Sequence, residues 1–199
     1  AVRRILRVKL ASGIFEKGLP SQRMNAGNET QLGLAEYRAV ARQAVRESMV
    51  LLKNNSQTLP LNSSSTILVV GDGANSISKT SGGWTLSWQG TGHSNDEFPN
   101  GESILEGIRQ LVNAAGGRVI YSETGEVPYP VDAVIAVYGE DPYAEFQGDR
   151  EHLDFEPNGF DVSLLAEYQS ENIPVISVFL SGRPMWTNPE INNSDAFVV

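Results

Sequence analysis

Between positions 140 and 151 the sequence sets five carboxylates, Glu140, Asp141, Glu145, Asp149 and Glu151, against one cation, Arg150. Acids so crowded can hold a hard cation, pair into salt bridges or supply a proton donor. Calcium fails on spacing. Glu140 and Glu151 fit the first and twelfth positions of a calcium-binding loop, but Pro142 and Ala144 fall on ligand positions and Glu145 stands where the sharp turn needs glycine. Two readings stay open. The acids are ordinary loop charges answered by Arg150, or one of them lies beside Pro142, Tyr143 and Phe146, where partial desolvation favours the protonated form that a general acid needs.

Upstream, Trp84 and Trp88 stand four residues apart among Gly82, Gly83 and Gly90. Indoles in a glycine-rich loop have little local structure to cover them. Trp88 is expected to be a buried anchor of that loop. Trp84, next to Gly83, is either a second anchor or a presented flat surface on which a sugar ring can stack. Gly71-Asp72-Gly73-Ala74-Asn75-Ser76 begins like a dinucleotide-binding turn, but Ser76 replaces the third glycine, and Ser78 to Gly92 is too rich in Gly, Ser and Thr to be read as the helix that such a motif opens. The expectation is a flexible turn, with a nucleotide-binding domain kept as an alternative. The two histidines, His93 and His152, lie in polar loops, and no serine occupies a G-x-S-x-G turn, so a serine-hydrolase triad has no support. Ser181-Gly182-Arg183-Pro184 reads as a tight turn that either aims Arg183 at a site or is purely structural, with an exposed or salt-bridged arginine.

Regular elements have to position these loops. Short continuous apolar runs at 66–70, 118–121, 133–138 and 175–180, with another opening at Ala196, read as buried parallel strands. Helical spacing marks residues 2–11, 103–114 and 161–169. Leu34, Tyr37, Val40, Ala41, Ala44, Val45, Met49 and Leu52 predict one long helix with a single buried face, ending near Asn54, and with Arg38, Arg42 and Arg46 on a solvated side. Strands alternating with helices give an α/β fold, a mostly parallel sheet sandwiched by helices. In such sheets ligands bind at the carboxyl ends of strands, which directs attention to the loops after Val70, Tyr138 and Leu180.

The chain of 199 residues has a net charge of -9, no run of basic residues and no cysteine. Nucleic acid would meet an unfavourable field, and disulfides and thiolate chemistry are excluded. No stretch approaches the roughly 20 apolar residues that cross a bilayer, so no membrane association is expected. No cofactor and no metal are expected either. The sequence opens inside a helical pattern and closes on a strand barely begun, as a piece of a longer protein would; the missing signal peptide then says nothing about location.

Taken in order, Gly82-Gly83-Trp84-Thr85 with Trp88-Gln89-Gly90, Gly139-Glu140 with Pro142-Tyr143-Ala144-Glu145 and Gly148-Asp149, and Ser181-Gly182-Arg183-Pro184 resemble the second domain of glycoside hydrolase family 3. The motifs are most similar to the branch of β-glucosidases and exo-acting β-glucan glucohydrolases. Glu47 to Asn54 and Leu59-Pro60-Leu61 resemble the segment leading into that domain, and Ile5 to Phe15 the last helix of the preceding barrel. The resemblance implies three parts: residues 1–16 as the terminal helix of a (β/α)8 barrel, 17–33 as an interdomain linker, and 34–199 as an α/β sandwich lacking its C-terminal end.

It further implies retaining hydrolysis of β-glucosides or β-glucan oligosaccharides, with the nucleophilic aspartate on the barrel, outside this chain, and a location in the periplasm or outside the cell. Carried over, Glu140 is the acid/base and Trp84 the aromatic wall of the leaving-group subsite. Glu140 is preferred to Glu145 because it directly follows the strand between Gly139 and Pro142, while Glu145 lies further into the loop. Asp149 and Arg150 are expected to order the loop. A non-catalytic carbohydrate-binding or scaffold domain is the alternative.

Overall fold

The computed structural model describes residues 1–126 and 130–199. Its chain divides into two compact units, Ala1–Ser48 and Met49–Val199. The first contains helices α1 (Val2–Ala11) and α2 (Ala35–Ser48), neither with a buried residue. The helix expected to reach Asn54 therefore stops at Ser48, and its apolar stripe stays exposed. Leu51–Asn54 is instead strand β1, antiparallel to the C-terminal strand β6 (Ala196–Val198). Leu51 and Leu52 do continue the helical spacing. The open edge of β6 overrides it, and Val50 and Val199 exchange N–H···O bonds of 2.8 and 3.0 Å there.

With β2 (Thr66–Val70), β3 (Arg118–Ser122), β4 (Ala133–Gly139) and β5 (Val175–Leu180), these strands form a six-stranded sheet of order β1-β6-β5-β4-β2-β3, parallel except for β1. The two-residue period of a strand sorts the side chains into two layers. Leu68, Val70, Tyr138 and Phe179 share one core with Leu165 and Tyr168 of helix α5 (Ser163–Ser170). Ile67, Val69, Val137 and Ile176 share the other with Leu105 and Val112 of helix α4 (Ile104–Ala114). The sheet is thus covered on both faces, which is why its strands read as unbroken apolar runs. Each fully buried aliphatic side chain contributes roughly 1.5–3 kcal/mol, several times a typical loop hydrogen bond, so the sheet fixes where the loops begin.

β3 lies on one side of β2 and β4 on the other. The order of strands reverses between β2 and β4, and at such a switch point the loops leaving the two carboxyl ends part and open a crevice. The loop after β2 begins with a turn at 71–76 and continues in a short helix, α3 (Ile77–Ser81), although the Gly, Ser and Thr content from Ser78 onward argues against one. Ser76 caps it by accepting the Lys79 amide, and Gly82 ends it with a positive φ. Both stop and start signals are present, and composition alone obscures them. The same loop then carries Trp84 and Trp88; the loop after β4 carries Glu140.

Candidate active site

Glu140 is the first residue beyond β4, and its amide donates to the Leu180 carbonyl at 2.9 Å. Gly139 permits that approach, since a Cβ there would overlap the Leu180 carbonyl. The Glu140 side chain is only 8% exposed. Arg183 grips it at both oxygens, Nε 3.3 Å from Oε2 and Nη2 3.2 Å from Oε1. The Ser181 hydroxyl lies 2.7 Å from Oε2, and Arg150 Nη1 stands 3.9 Å from Oε1. Arg183 is itself fixed, donating to the Gly148 carbonyl at 2.6 Å and lying 3.9 Å above the Tyr143 ring. Arg183 is thus salt-bridged, one form of the structural reading of Ser181-Gly182-Arg183-Pro184, and the turn also aims it at Glu140.

Two hollows meet at Glu140. One, of about 440 Å³, is lined by Gly82, Gly83, Glu140, Tyr143 and Ser181 among others. The second, of about 490 Å³, adds Gln147, Arg150, Asn158 and Arg183 to Glu140 and Tyr143. Both fall in the size range of small-molecule sites.

The remaining acids of this loop are dispersed. Asp141 meets Lys79 Nζ at 3.1 Å and accepts from Asn158 at 2.9 Å. Lys79, almost wholly buried, also pairs with Asp72 at 2.5 Å, so one cation ties α3 to the loop of Glu140. Glu145 is exposed and accepts the Trp88 indole N–H at 2.8 Å, and that bond is the main cause holding its carboxyl below the usual range. Asp149 is exposed, with its amide on the Phe146 carbonyl at 3.2 Å. Arg150 binds Glu156 and the Asp154 carbonyl, each at 3.0 Å. Among the described residues no three His, Asp or Glu side chains gather as metal ligands would.

Trp88 is not the buried anchor expected; it is 45% exposed, and Trp84 is 70% exposed. Having no core beneath it, Trp88 packs on its neighbours, 6.1 Å from Trp84 and edge-on to Phe146 at 5.7 Å. Beside it, Gln89 bridges to the other loop: its Oε1 accepts the Ala144 amide at 2.7 Å and its Nε2 donates to the Glu145 carbonyl at 3.0 Å. His93 braces the tryptophan loop from the far side, with Nε2 2.8 Å from Ser87 Oγ and Nδ1 3.0 Å from Glu97. That is the order of a serine–histidine–acid relay, but Ser87 Oγ also accepts the Gly90 amide, and neither Ser87 nor His93 lines the hollows at Glu140. Trp84 does not line them either; Gly82 and Gly83 do. Sequence reasoning misses Lys79 and weighs Gln89 only as a motif letter, because both act on partners far away in the chain.

Residues 49–199 match the family model described as the Glycosyl hydrolase family 3 C-terminal domain. The chain belongs to this family. Among its curated relatives, a lysosomal beta glucosidase of Dictyostelium discoideum is 34% identical over 217 residues, covering all of this chain and 26% of the relative. An exo-1,3/1,4-beta-glucanase from a Pseudoalteromonas species superposes with a TM-score of 0.93 at 50% identity, covering all of this chain and 25% of that one. A mutant beta-glucosidase from Listeria innocua, solved in complex with laminaribiose, gives a TM-score of 0.74 at 26% identity, over 98% of this chain and 27% of that one. The family 3 sandwich is therefore the fold of this chain, which spans about a quarter of the length of these relatives.

Proposed function

We propose that this chain is the acid-bearing part of a retaining, exo-acting β-glucosidase or β-glucan glucohydrolase. In this reading residues 1–16 are the last helix of a barrel domain, 17–33 a linker, and 34–199 the sandwich domain, while the nucleophilic aspartate belongs to the barrel. Glu140 protonates the glycosidic oxygen as the C1–O bond breaks and the leaving sugar takes the bonding pair. The aspartate bonds to C1, and Glu140 then removes a proton from the water that displaces it. Retention calls for the two carboxyl groups to stand about 5–5.5 Å apart across the cleft. Trp84, exposed and outside both hollows but on the loop whose Gly82 and Gly83 line one of them, supplies the apolar wall for the part of the leaving sugar that projects beyond the hollow, and Asp149 and Arg150 order the acid's loop.

The observation that carries the reading is the place of Glu140: a nearly buried carboxyl at the carboxyl end of a central strand, beside the switch point, facing two hollows. The names of the relatives supply the substrate class, β-glucosides and β-1,3- or β-1,4-glucans. The lysosomal description of the Dictyostelium relative supports a location outside the cytosol, and we place this protein in the periplasm or outside the cell.

Arg183 and Ser181 point donors at both Glu140 oxygens, the surroundings of an anion. To give up a proton, one oxygen must turn from Arg183 to the substrate, a change that a second carboxylate drawing on the same guanidinium would favour. That full pairing also favours a second reading, in which Glu140 is a fixed loop anchor and the domain only binds carbohydrate. Glu140→Gln in the full-length protein separates the two. The first predicts that turnover of unactivated glucosides falls by about 10²–10⁴-fold, that substrates with good leaving groups keep most of their glycosylation rate, and that azide restores turnover. Equal loss on both substrate types, or no loss, supports the binding module instead.

A further inference from the structure

We propose that Gln89 is a positioning residue that fastens the tryptophan loop to the loop of Glu140, so that the aromatic wall and the proton donor are set as one piece. The inference rests on the roles given above to Trp84 and Glu140. The two loops leave different strands; besides the Lys79–Asp141 pair at α3, three contacts among the described residues join them beyond that helix. The Gln89 carboxamide fills a donor and an acceptor at once, on the Glu145 carbonyl and the Ala144 amide at 3.0 and 2.7 Å. The Trp88 indole donates to the Glu145 carboxylate at 2.8 Å and packs against Phe146. Gly83 brings its backbone directly against the Tyr143 carbonyl, where a Cβ would overlap it.

From Tyr143 the connection continues to Arg183, which stacks on the Tyr143 ring, holds the Gly148 carbonyl and grips Glu140. The path thus runs from Trp84 to Trp88, which it meets by ring and backbone, on to the adjoining Gln89, and through residues 143–146 and Arg183 to the carboxyl group. Of the three points, only Gln89 binds backbone on both of its functional atoms. It therefore sets where residues 144 and 145 lie whatever the protonation state of Glu145. Trp84 and Leu86 have φ of 61° and 60°, a left-handed conformation that is strained for such residues and persists only where surrounding contacts hold it. The latch on one side and His93 on the other are such contacts.

Geometry errors of about 1 Å in a reacting group lower rates by roughly a hundredfold, while a loosened platform weakens binding of the leaving sugar. The test uses the full-length enzyme with laminaribiose and with an aryl glucoside bearing a good leaving group. Gln89→Ala is expected to cut kcat/KM for laminaribiose about tenfold or more and to change the aryl substrate less than threefold. Gln89→Glu keeps the acceptor but loses the donor and faces Glu145; it should show the same split. Combined with Trp84→Ala, Gln89→Ala should add less than threefold to the loss, because the platform it positions is already gone. Equal losses on both substrates, or losses that multiply in the double variant, overturn the proposal. If Gln89→Ala fails to fold, Trp88→Phe removes one tether and keeps the ring, and an undiminished preference for laminaribiose in it overturns the proposal equally. Glu140→Gln serves as the reference: if it lacks the leaving-group dependence, the functional reading fails, whereas its presence without any effect at Gln89 sinks the latch alone.

Discussion

Glu140 and Glu145 share one loop, one side-chain chemistry and a distance of five positions, yet the fold treats them oppositely. Glu140 lies at the tip of β4, nearly out of solvent, with two guanidinium groups and a hydroxyl around it. Glu145 is exposed and held mainly by one indole N–H, that of Trp88, with a smaller contribution from Trp84. Burial makes the first carboxyl group expensive unless it is fully paired, and its cations are themselves anchored. Exposure leaves the second cheap to ionise, so weak tethering is enough to orient it. Position on the sheet, more than residue type, decides which acid can be aimed at a substrate.

The comparison breaks most visibly in activity. Glu140→Gln should remove about 10²–10⁴-fold of the rate on unactivated glucosides, whereas Glu145→Gln should cost less than tenfold on any substrate. A Glu145 variant that loses as much as the Glu140 variant, and is rescued by azide while the other is not, would exchange their roles.

Making Glu140 resemble Glu145 is the next test. Arg183→Lys keeps a positive charge but loses the fork that reaches both oxygens and the planar stack on Tyr143. Turnover of unactivated glucosides should fall about tenfold, roughly 1.4 kcal/mol of transition-state stabilisation. Unfolding in urea should show a loss of about 1–2 kcal/mol. Unchanged kinetics and stability would mean that Arg183 does not hold the carboxyl group in solution.

A third carboxylate sharpens the contrast, because it is buried without either kind of holder among the described residues. Glu190, in helix α6 (Asn188–Asn192), is buried and its Oε2 lacks a partner. Desolvation pushes its pKa above the ordinary value. A raised folded-state pKa means that folding takes up a proton. The group's contribution is therefore most favourable below the unfolded value of about 4.3 and is lost as pH rises through the folded one. Glu190→Gln should raise the melting temperature at pH 7 by roughly 2–4 °C, with the gain vanishing near pH 4. A variant less stable at pH 7 would show that Glu190 is ionised and paired after all.

How legible this is in the sequence follows from where each partner lies. β2, β4 and β5 can be read directly, because strands covered on both faces leave unbroken apolar runs. β1 cannot, since Leu51 and Leu52 fit a helix equally well and only β6, at the other end of the chain, makes them a strand. Glu140 stands out by its place after Gly139. Its environment does not, as Arg183 and Ser181 come from the next strand's loop. Trp88 misleads for a related reason: an indole suggests a core beneath it, and a neighbouring loop supplies Phe146 and Glu145 instead. Local pattern reveals what is covered by many residues and misses what is held by one or two distant ones.

The smallest expected effect concerns the Glu145 tether itself. The Trp88 indole holds the carboxyl below its ordinary range, so the tether is complete above that range and is lost only as pH falls through the depressed folded-state value. In a Trp186→Phe background, tryptophan emission should stay flat through the ordinary carboxylate range, near pH 4.3, and change only at lower pH. Glu145→Gln should abolish that acid-side change while leaving the emission at pH 7 nearly the same, because an amide oxygen can still accept the indole N–H. A transition centred at the ordinary value would mean that Trp88 and Glu145 do not meet in solution. One that persists in the Gln variant would point to Glu97, the other exposed acid of this region whose pKa is lowered, in its case by His93.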